Sequence, residues 1–529
     1  MWRRLGRTGL VAVALAALLL AGCGGGSSSS SGNAGSSGGT GQQQSTGAGT
    51  ASSQAGGTIT IGINADPPNL DPAGSTALVD RYVQNSIFDK LYDVDANLKV
   101  VPVLAASLPE ISADGKTYTI HLRQGIQFTD GTPFNADAVI YNLKRYMSPD
   151  SARHSELSFV SDVQKVDDYT VRIVLSKPFS PLLYTLTDRA GMMGSPAAIQ
   201  KEGANFGQHP VGTGPFMFES RIKGDQIVLV RNPHYWQKGL PKADKVVWKV
   251  VTDDNVKVVN LKAGQLDIID TVPAQSVGDL QSNSAFRVDI GPGLGFQGLY
   301  LNVQQPPFNN VYLRRAVDLA IDRAALVKVV FGQTADPGYG PFPAGTPAEA
   351  ASGTPPAVDL AKVKQLLAQG GHPNGFTFTL KIATSPVNQQ VAQVLKNMLA
   401  QAGITMNIQQ EEFGTLLDDS TKHNFQASAL GWSGRPDPDG NIYSWFYTGG
   451  SLNDSGYSNP KVDQLLDQAR ATSDMTQRVA LYTQVMEIIH QDVPYVYLYF
   501  PKNVKAFTAQ LKGFVNVPDG IIRTAQLGK

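Results

Sequence analysis

The chain has 529 residues, and 44 basic side chains balance 44 acidic ones. A body of this length holds two or three domains, and its neutral charge, with no basic stripe, excludes the electrostatic footprint that nucleic acid requires. A single cysteine excludes an internal disulfide framework and a cysteine-ligated metal site.

In chain order, Arg3, Arg4 and Arg7 form a basic start, followed by an apolar run over 10–21. The run is too short for a bilayer span, which takes about 20 residues, and reads as the core of a signal peptide. It ends in Leu20-Ala-Gly-Cys23, which resembles a bacterial lipobox. That resemblance implies cleavage after residue 22 and a lipid on the Cys23 thiol. Acyl chains in pairs anchor a protein stably. Residues 24–57 carry no charge and no aromatic ring. Such a Gly/Ser-rich stretch cannot bury enough apolar area to order itself, so 23–57 reads as a lipidated tether that spans roughly 30–35 Å.

The body begins with Thr58-Ile-Thr-Ile-Gly-Ile63, whose β-branched alternation predicts a strand. Strands are also predicted at 117–122, 169–175 and 226–231, with turns at Asp114-Gly115 and Asp130-Gly131. Apolar spacing predicts one helix over 314–331. A strand at 376–382, a helix at 387–401 stopped by Gly403 and a strand at 404–408 make a βαβ unit and hence a parallel sheet. Asn459-Pro460 opens a helix to Ala471, Ser473 is read as the cap of the next helix, to about Gln491, and 495–499 is a late strand. The fold class is therefore α/β, with an α+β portion in the first half.

No catalytic constellation emerges. The seven histidines are scattered, and none pairs at metal-ligand spacing. Gly293-Leu-Gly-Phe-Gln-Gly298 has the letters of a dinucleotide fingerprint but precedes a strand-like stretch, where the phosphate site needs a helix. Asp437-Pro-Asp-Gly-Asn441 lacks the glutamate that a calcium loop places at its twelfth position, where Thr448 stands. No cofactor and no metal are expected, and the chain is not expected to be an enzyme.

Several stretches carry a resemblance along nearly the whole body: Asn69-Leu-Asp-Pro72, Ile87-Phe-Asp-Lys-Leu-Tyr92, Leu122-Arg-Gln-Gly-Ile-Gln-Phe-Thr-Asp-Gly-Thr-Pro-Phe134, Gly212-Thr-Gly-Pro-Phe216, Arg231-Asn-Pro-His-Tyr-Trp236, Ala263-Gly-Gln-Leu-Asp-Ile268 and Leu313-Arg-Arg-Ala316. Together they resemble the extracellular solute-binding proteins of family 5, the group of dipeptide- and oligopeptide-binding proteins of ABC importers. The resemblance implies a type 2 periplasmic-binding-protein fold with two hinged lobes and a cleft. Lobe I would comprise 58–92, an inserted subdomain at 93–195, 196–292 and 495–529, and lobe II 293–494. It implies a monomer outside the cytoplasm, anchored to the membrane by its lipid, which delivers a small peptide-like solute to an ABC permease and ATPase complex. A ligand-sensing lipoprotein of the same fold without transport is the alternative, and an extracellular hydrolase a remoter one.

The resemblance also points to a site at Gly431-Trp-Ser-Gly-Arg-Pro-Asp-Pro-Asp-Gly-Asn-Ile-Tyr443. In peptide-binding relatives an aspartate three residues after the tryptophan pairs with the peptide's α-amino group. Here that position is Arg435, which suits a carboxylate or phosphate instead. Asp437 is a candidate for the amine role. Alternatively, Arg435 and Asp437 or Asp439 neutralise one another within the loop. The expected ligand-binding residues are Trp432, Ser433, Arg435, Asp437, Asn441 and Tyr443, with Asn69, Met193, Phe296 and Gln297 as further cleft candidates and Met192 beside them. Half of the cluster Tyr443, Trp445, Phe446 and Tyr447 is expected in the core.

Overall fold

The structure is a computed structural model that describes residues 56–529. The leader, Cys23 and the tether as far as residue 55 lie outside the described residues.

The strand Thr58–Ile63 forms where the alternation placed it, with Ile59, Ile61 and Ile63 turned into the core. It runs parallel to Lys245–Val250 on one side and to Ile268–Ile269 on the other. These strands are the centre of a seven-stranded sheet in the order Phe286–Gly291, Asn503–Thr508, Ile268–Ile269, Thr58–Ile63, Lys245–Val250, Gln226–Arg231 and Phe216–Ile222. The helix Leu78–Ile87 covers one face and stacks Tyr82 on Trp248 at 6.3 Å between ring centroids, both rings buried. Burial of an aromatic side chain of this kind is worth about 4–6 kcal/mol before entropy.

Between Tyr92 and Met193 the chain builds a separate antiparallel sheet from Glu110–Ile111, Thr117–His121, Thr170–Leu175 and Val160–Asp167. This sheet has its own core, where Tyr118 and Ile120 pack with Phe128, Phe134 and Leu143.

The second large sheet has six strands in the order Ala335–Pro337, Tyr495–Pro501, Gln297–Leu301, Ala427–Ala429, Thr377–Ala383 and Thr405–Glu411. Thr377–Ala383, the helix Pro386–Gln401 and Thr405–Glu411 form the expected βαβ unit, with the two strands parallel. Ser385 caps the helix through the Asn388 N–H, and Gly403 takes the left-handed stop at φ 80°.

Three expectations are corrected. The single helix over 314–331 is two helices, Val311–Leu319 and Arg323–Val330. Asp322 starts the second by accepting the Ala325 N–H at 2.9 Å, and Arg323 turns inward to the Tyr497 carbonyl at 2.7 Å. The cap of the helix Met475–Asp492 is Asp474, which accepts from Gln477, rather than Ser473. The strand Tyr495–Pro501, placed by sequence in the C-terminal part of lobe I, pairs with Gln297–Leu301 and Ala335–Pro337 in the second sheet. The chain returns to the first sheet only at Lys502. The physical reason is that Val496 and Leu498 belong to the apolar core of the second sheet.

The chain therefore passes between the large sheets twice, at 292–296 and at 501–503. The two passages touch. A Cβ on Gly293 would lie 2.3 Å from the Pro501 carbonyl oxygen, and Asn503 Nδ2 donates to the Pro292 and Pro518 carbonyls at 2.9 Å each. Two adjacent crossings are the structural requirement for rigid-body rotation of one half against the other. Gly293→Ala must push the passages apart, and we expect it to lower stability by about 1–3 kcal/mol in urea unfolding.

Candidate functional site

A cavity of about 380 Å³ lies between the two halves of the molecule. Its first wall carries Arg153, Glu156, Asp188 and Arg189, and its second carries Trp432, Arg435, Asp437 and Arg470.

The second wall is built from the loop 431–438. Phe296 and Trp432 exchange both backbone hydrogen bonds, at 3.1 and 2.8 Å, so the loop is fastened to the first chain passage. Phe296 is itself locked between Trp445, Tyr495 and Tyr497, with ring centroids 4.8–5.7 Å away. Gly434 sits at φ 81° with the Leu294 backbone 2.2 Å from where a Cβ would be, so only glycine fits. Asn441, in the helix Asp439–Phe446, closes the loop. Its Oδ1 accepts from the Arg435 N–H at 2.7 Å and from Trp432 Nε1 at 3.1 Å, and its Nδ2 donates to the Arg435 carbonyl at 2.9 Å.

This scaffold fixes Arg435. Its guanidinium lies over Trp432, with Cζ 4.3 Å from the ring centroid, and Nη1 donates to the Gly434 carbonyl at 2.8 Å and to Ser433 Oγ at 3.3 Å. Its Nε faces Asp188 Oδ2 across the cavity at 3.4 Å, without a hydrogen bond. Burial pushes the Arg435 guanidinium down to about 10, against the pull of Asp188.

The first wall is an arginine cluster around one carboxylate. Asp188 caps the short helical turn Arg189–Gly191, and its Oδ1 accepts from the Arg189 N–H at 2.8 Å and from Arg81 Nε at 3.0 Å. Burial alone would raise its carboxyl, but Arg81, Arg435 and Arg189 outweigh burial and hold it well below the usual carboxylate range. Arg189 donates to Ser75 Oγ at 3.0 Å, and burial, reinforced by Arg153, pushes it down to about 9. Arg153 pairs with Glu156. The Nε groups of Arg153 and Arg189, and Nη1 of Arg81, are buried without a hydrogen-bond partner.

Asp437 and Asp439 do not neutralise Arg435. Arg478 grips Asp437 with both terminal nitrogens, and Arg470 holds Asp439 at 2.8 and 3.0 Å. Both Asp437 oxygens are thereby engaged within the second half. Asn69 holds its own turn through the Asp71 N–H and does not line the cavity. Met192, Met193 and Phe296 are fully buried core residues, and Gln297 borders a small separate cavity in the second half. Ser433 and Asn441 support Arg435 from beneath. Tyr443 and Tyr447 stack at 4.5 Å and donate to Asp467, while Trp445 and Phe446 are buried.

Sequence reasoning missed Arg81, Arg153, Asp188, Arg189 and Arg470. Only Asp188-Arg189 carried a local signal, an adjacent charge pair between the apolar runs at 182–186 and 190–193. Arg470 also touches the first wall: its carbonyl accepts from the Ser180 N–H at 3.0 Å, and its guanidinium lies 5.1 Å from the Phe179 ring centroid.

Residues 99–454 match the model of the bacterial extracellular solute-binding proteins, family 5, middle region. The chain belongs to this family. Solute-binding proteins of family 5 work outside the cytoplasm and deliver peptide-like solutes to an ABC permease, and this chain is such a solute-binding protein. Among family 5 relatives, it is 32% identical to the glutathione-binding protein GsiB of Escherichia coli O1:K1 / APEC over 98% of both chains. The DppA protein of Helicobacter pylori, solved in complex with the peptide STSA, superposes with a TM-score of 0.81 at 29% identity, covering 90% of this chain and 99% of that one. AgaA of A. tumefaciens R10, solved with agropinic acid, gives 0.80 at 29%, covering 89% and 98%. The architecture is the type 2 periplasmic-binding-protein fold, and among the described residues no helix is long and apolar enough to cross a membrane.

Because Asp437 and Arg478 are both almost completely buried, Arg478→Met strands a charge. We expect a loss of about 3–5 kcal/mol in urea unfolding, partly recovered when Asp437→Asn is added.

Proposed function

We propose that the chain is the lipid-anchored receptor of an ABC importer for a peptide-like solute that carries a carboxylate, held in the interlobe cavity against Arg435, and that it performs no chemistry on that solute. The observation that carries this reading is the charge of the cavity walls together with the side chains directly behind them. The lining groups alone balance, Arg153, Arg189, Arg435 and Arg470 against Glu156, Asp188, Asp437 and Asp439, and with Arg81, Arg478 and Asp80 behind them the guanidiniums exceed the carboxyls by one. Burial raises the Asp80 carboxyl above its ordinary value, against the pull of its hydrogen bonds and Arg189. A buried, unbalanced guanidinium is costly, and a ligand carboxylate supplies the missing charge with a bidentate partner.

Size agrees with this. A cavity of this volume has room for roughly a dozen waters, or for a peptide of two or three residues. The relatives bind comparable solutes: GsiB is named for glutathione, and AgaA was solved with agropinic acid. The cavity is lined from both halves, so a bound ligand stabilises the closed arrangement by its differential affinity for it. The family's partnership with ABC permeases supports transport rather than sensing alone. The lobe limits read from the sequence remain our division of the chain, apart from the return at Lys502. The lipid on Cys23, the monomeric state and the attachment to the cell membrane belong to the same reading.

Two measurements test it. A small anionic peptide such as glutathione raises the melting temperature of the purified protein, which at a hundredfold excess over Kd corresponds to about 2.7 kcal/mol of stabilisation. Arg435→Ala weakens that ligand by about 2–5 kcal/mol in calorimetric titration, whereas equal affinity in the variant removes Arg435 from the ligand's partners. Separately, Cys23→Ser abolishes lipid labelling and moves the protein from the membrane fraction to the soluble one.

A further inference from the structure

We infer that the ligand enters the cavity with a free α-amino-acid head, its ammonium on Asp188 and its carboxylate on Arg435. The inference deepens the proposed function and rests on it.

Asp188 is more than nine-tenths buried, it lines the cavity, and its Oδ2 has no hydrogen-bond partner. The other carboxylates of the second wall are taken: Asp437 by Arg478 and Asp439 by Arg470. On the first wall Arg153 holds Glu156. Asp188 Oδ2 is therefore the buried carboxylate oxygen of the cavity that is left for a cationic donor. A buried charged acceptor without a donor is expensive, and an ammonium repays it with a charge-assisted hydrogen bond. Its carboxyl is held ionised by the surrounding arginines, so it offers an anion at any physiological pH.

Asp188 Oδ2 and Arg435 Nε are 3.4 Å apart, close enough for ion pairing but not hydrogen-bonded. A ligand that satisfies both must present an ammonium and a carboxylate side by side, as on a single carbon atom. An ordinary α-linked peptide does not, because its ammonium and its terminal carboxylate stand at opposite ends. A peptide joined through a side-chain carboxyl does, since its first residue keeps both α-groups free.

The zwitterionic head is neutral and leaves the one excess guanidinium of the walls and their backing uncompensated. A second carboxylate at the far end of the ligand meets that excess, at the unpartnered nitrogens of Arg153 and Arg189. The ligand class is thus a short side-chain-linked acidic peptide with net charge −1. The aspartate that the second wall lacks at position 435 is replaced by one on the opposite wall.

Calorimetric titration of the intact protein with γ-linked glutathione, its α-linked glutamyl isomer and N-acetylglutathione tests this. We expect glutathione to bind, and the isomer and the acetylated form each to bind at least about thirtyfold more weakly. Asp188→Asn should abolish the preference for glutathione over its acetylated form. Equal affinities of the wild-type protein for the γ-linked, α-linked and acetylated ligands would overturn the inference and leave the peptide receptor standing, as would tight binding of α-linked peptides alone. The ligand-side comparison needs no variant, so it holds even where Asp188→Asn does not fold. Failure of the wild-type protein to bind any of the three, or any dipeptide, would overturn the functional reading and this inference with it.

Discussion

The pair of backbone hydrogen bonds between Phe296 and Trp432 is the constraint from which the site follows. It ties the loop that carries Arg435 to the segment through which the chain passes from one half to the other. Phe296 cannot shift, because three aromatic rings enclose it, and Gly434 cannot be replaced, because Leu294 lies against it. The guanidinium of Arg435 is therefore delivered to the cavity by the hinge itself. Motion at the passage and position of the charge are one degree of freedom. Long side chains lose much entropy when fixed, and here that loss is met by the Trp432 ring, the Gly434 carbonyl and Asn441 before any ligand arrives.

The ion pairs of the cavity fall into two kinds. Asp437–Arg478 and Asp439–Arg470 join residues of the same half, are almost completely buried and make several hydrogen bonds each. Such pairs hold geometry, since breaking one leaves a stranded charge. Asp188–Arg435 joins opposite halves, and its closest approach is longer than a charge-assisted hydrogen bond. The strong pairs keep the loop and its supporting helices in register. The loose one faces the space where a solute is held.

The local grammar of the fold was legible in the residues. Alternation gave Thr58–Ile63 and Gln226–Arg231 to the residue, and Asn459-Pro460 opened its helix as capping requires. Where reading failed, a tertiary contact was responsible. The apolar spacing over 311–330 continues through Asp322, and only the inward turn of Arg323 toward Tyr497 breaks the helix. The site was half legible. Trp432, Arg435 and Asp437 share one motif and all line the cavity. The opposite wall is assembled from Arg81, Arg153 and Asp188, which lie on separate elements and meet only after folding. No spacing rule connects them to one another or to Arg435. Met193 and Phe296 failed as lining residues for the ordinary reason that apolar side chains beside a cleft go into the core.

The late strand Asn503–Thr508 lies between Phe286–Gly291 and Ile268–Ile269 in the seven-stranded sheet. Phe286–Gly291 has no other strand beside it. The six-stranded sheet, by contrast, draws all its strands from one continuous stretch that ends at Pro501. In chain order the second sheet thus has its last strand by Pro501, whereas the first sheet gains the strand that joins Phe286–Gly291 to Ile268–Ile269 only after it, so the seam of the first half is closed by the final stretch of the polypeptide.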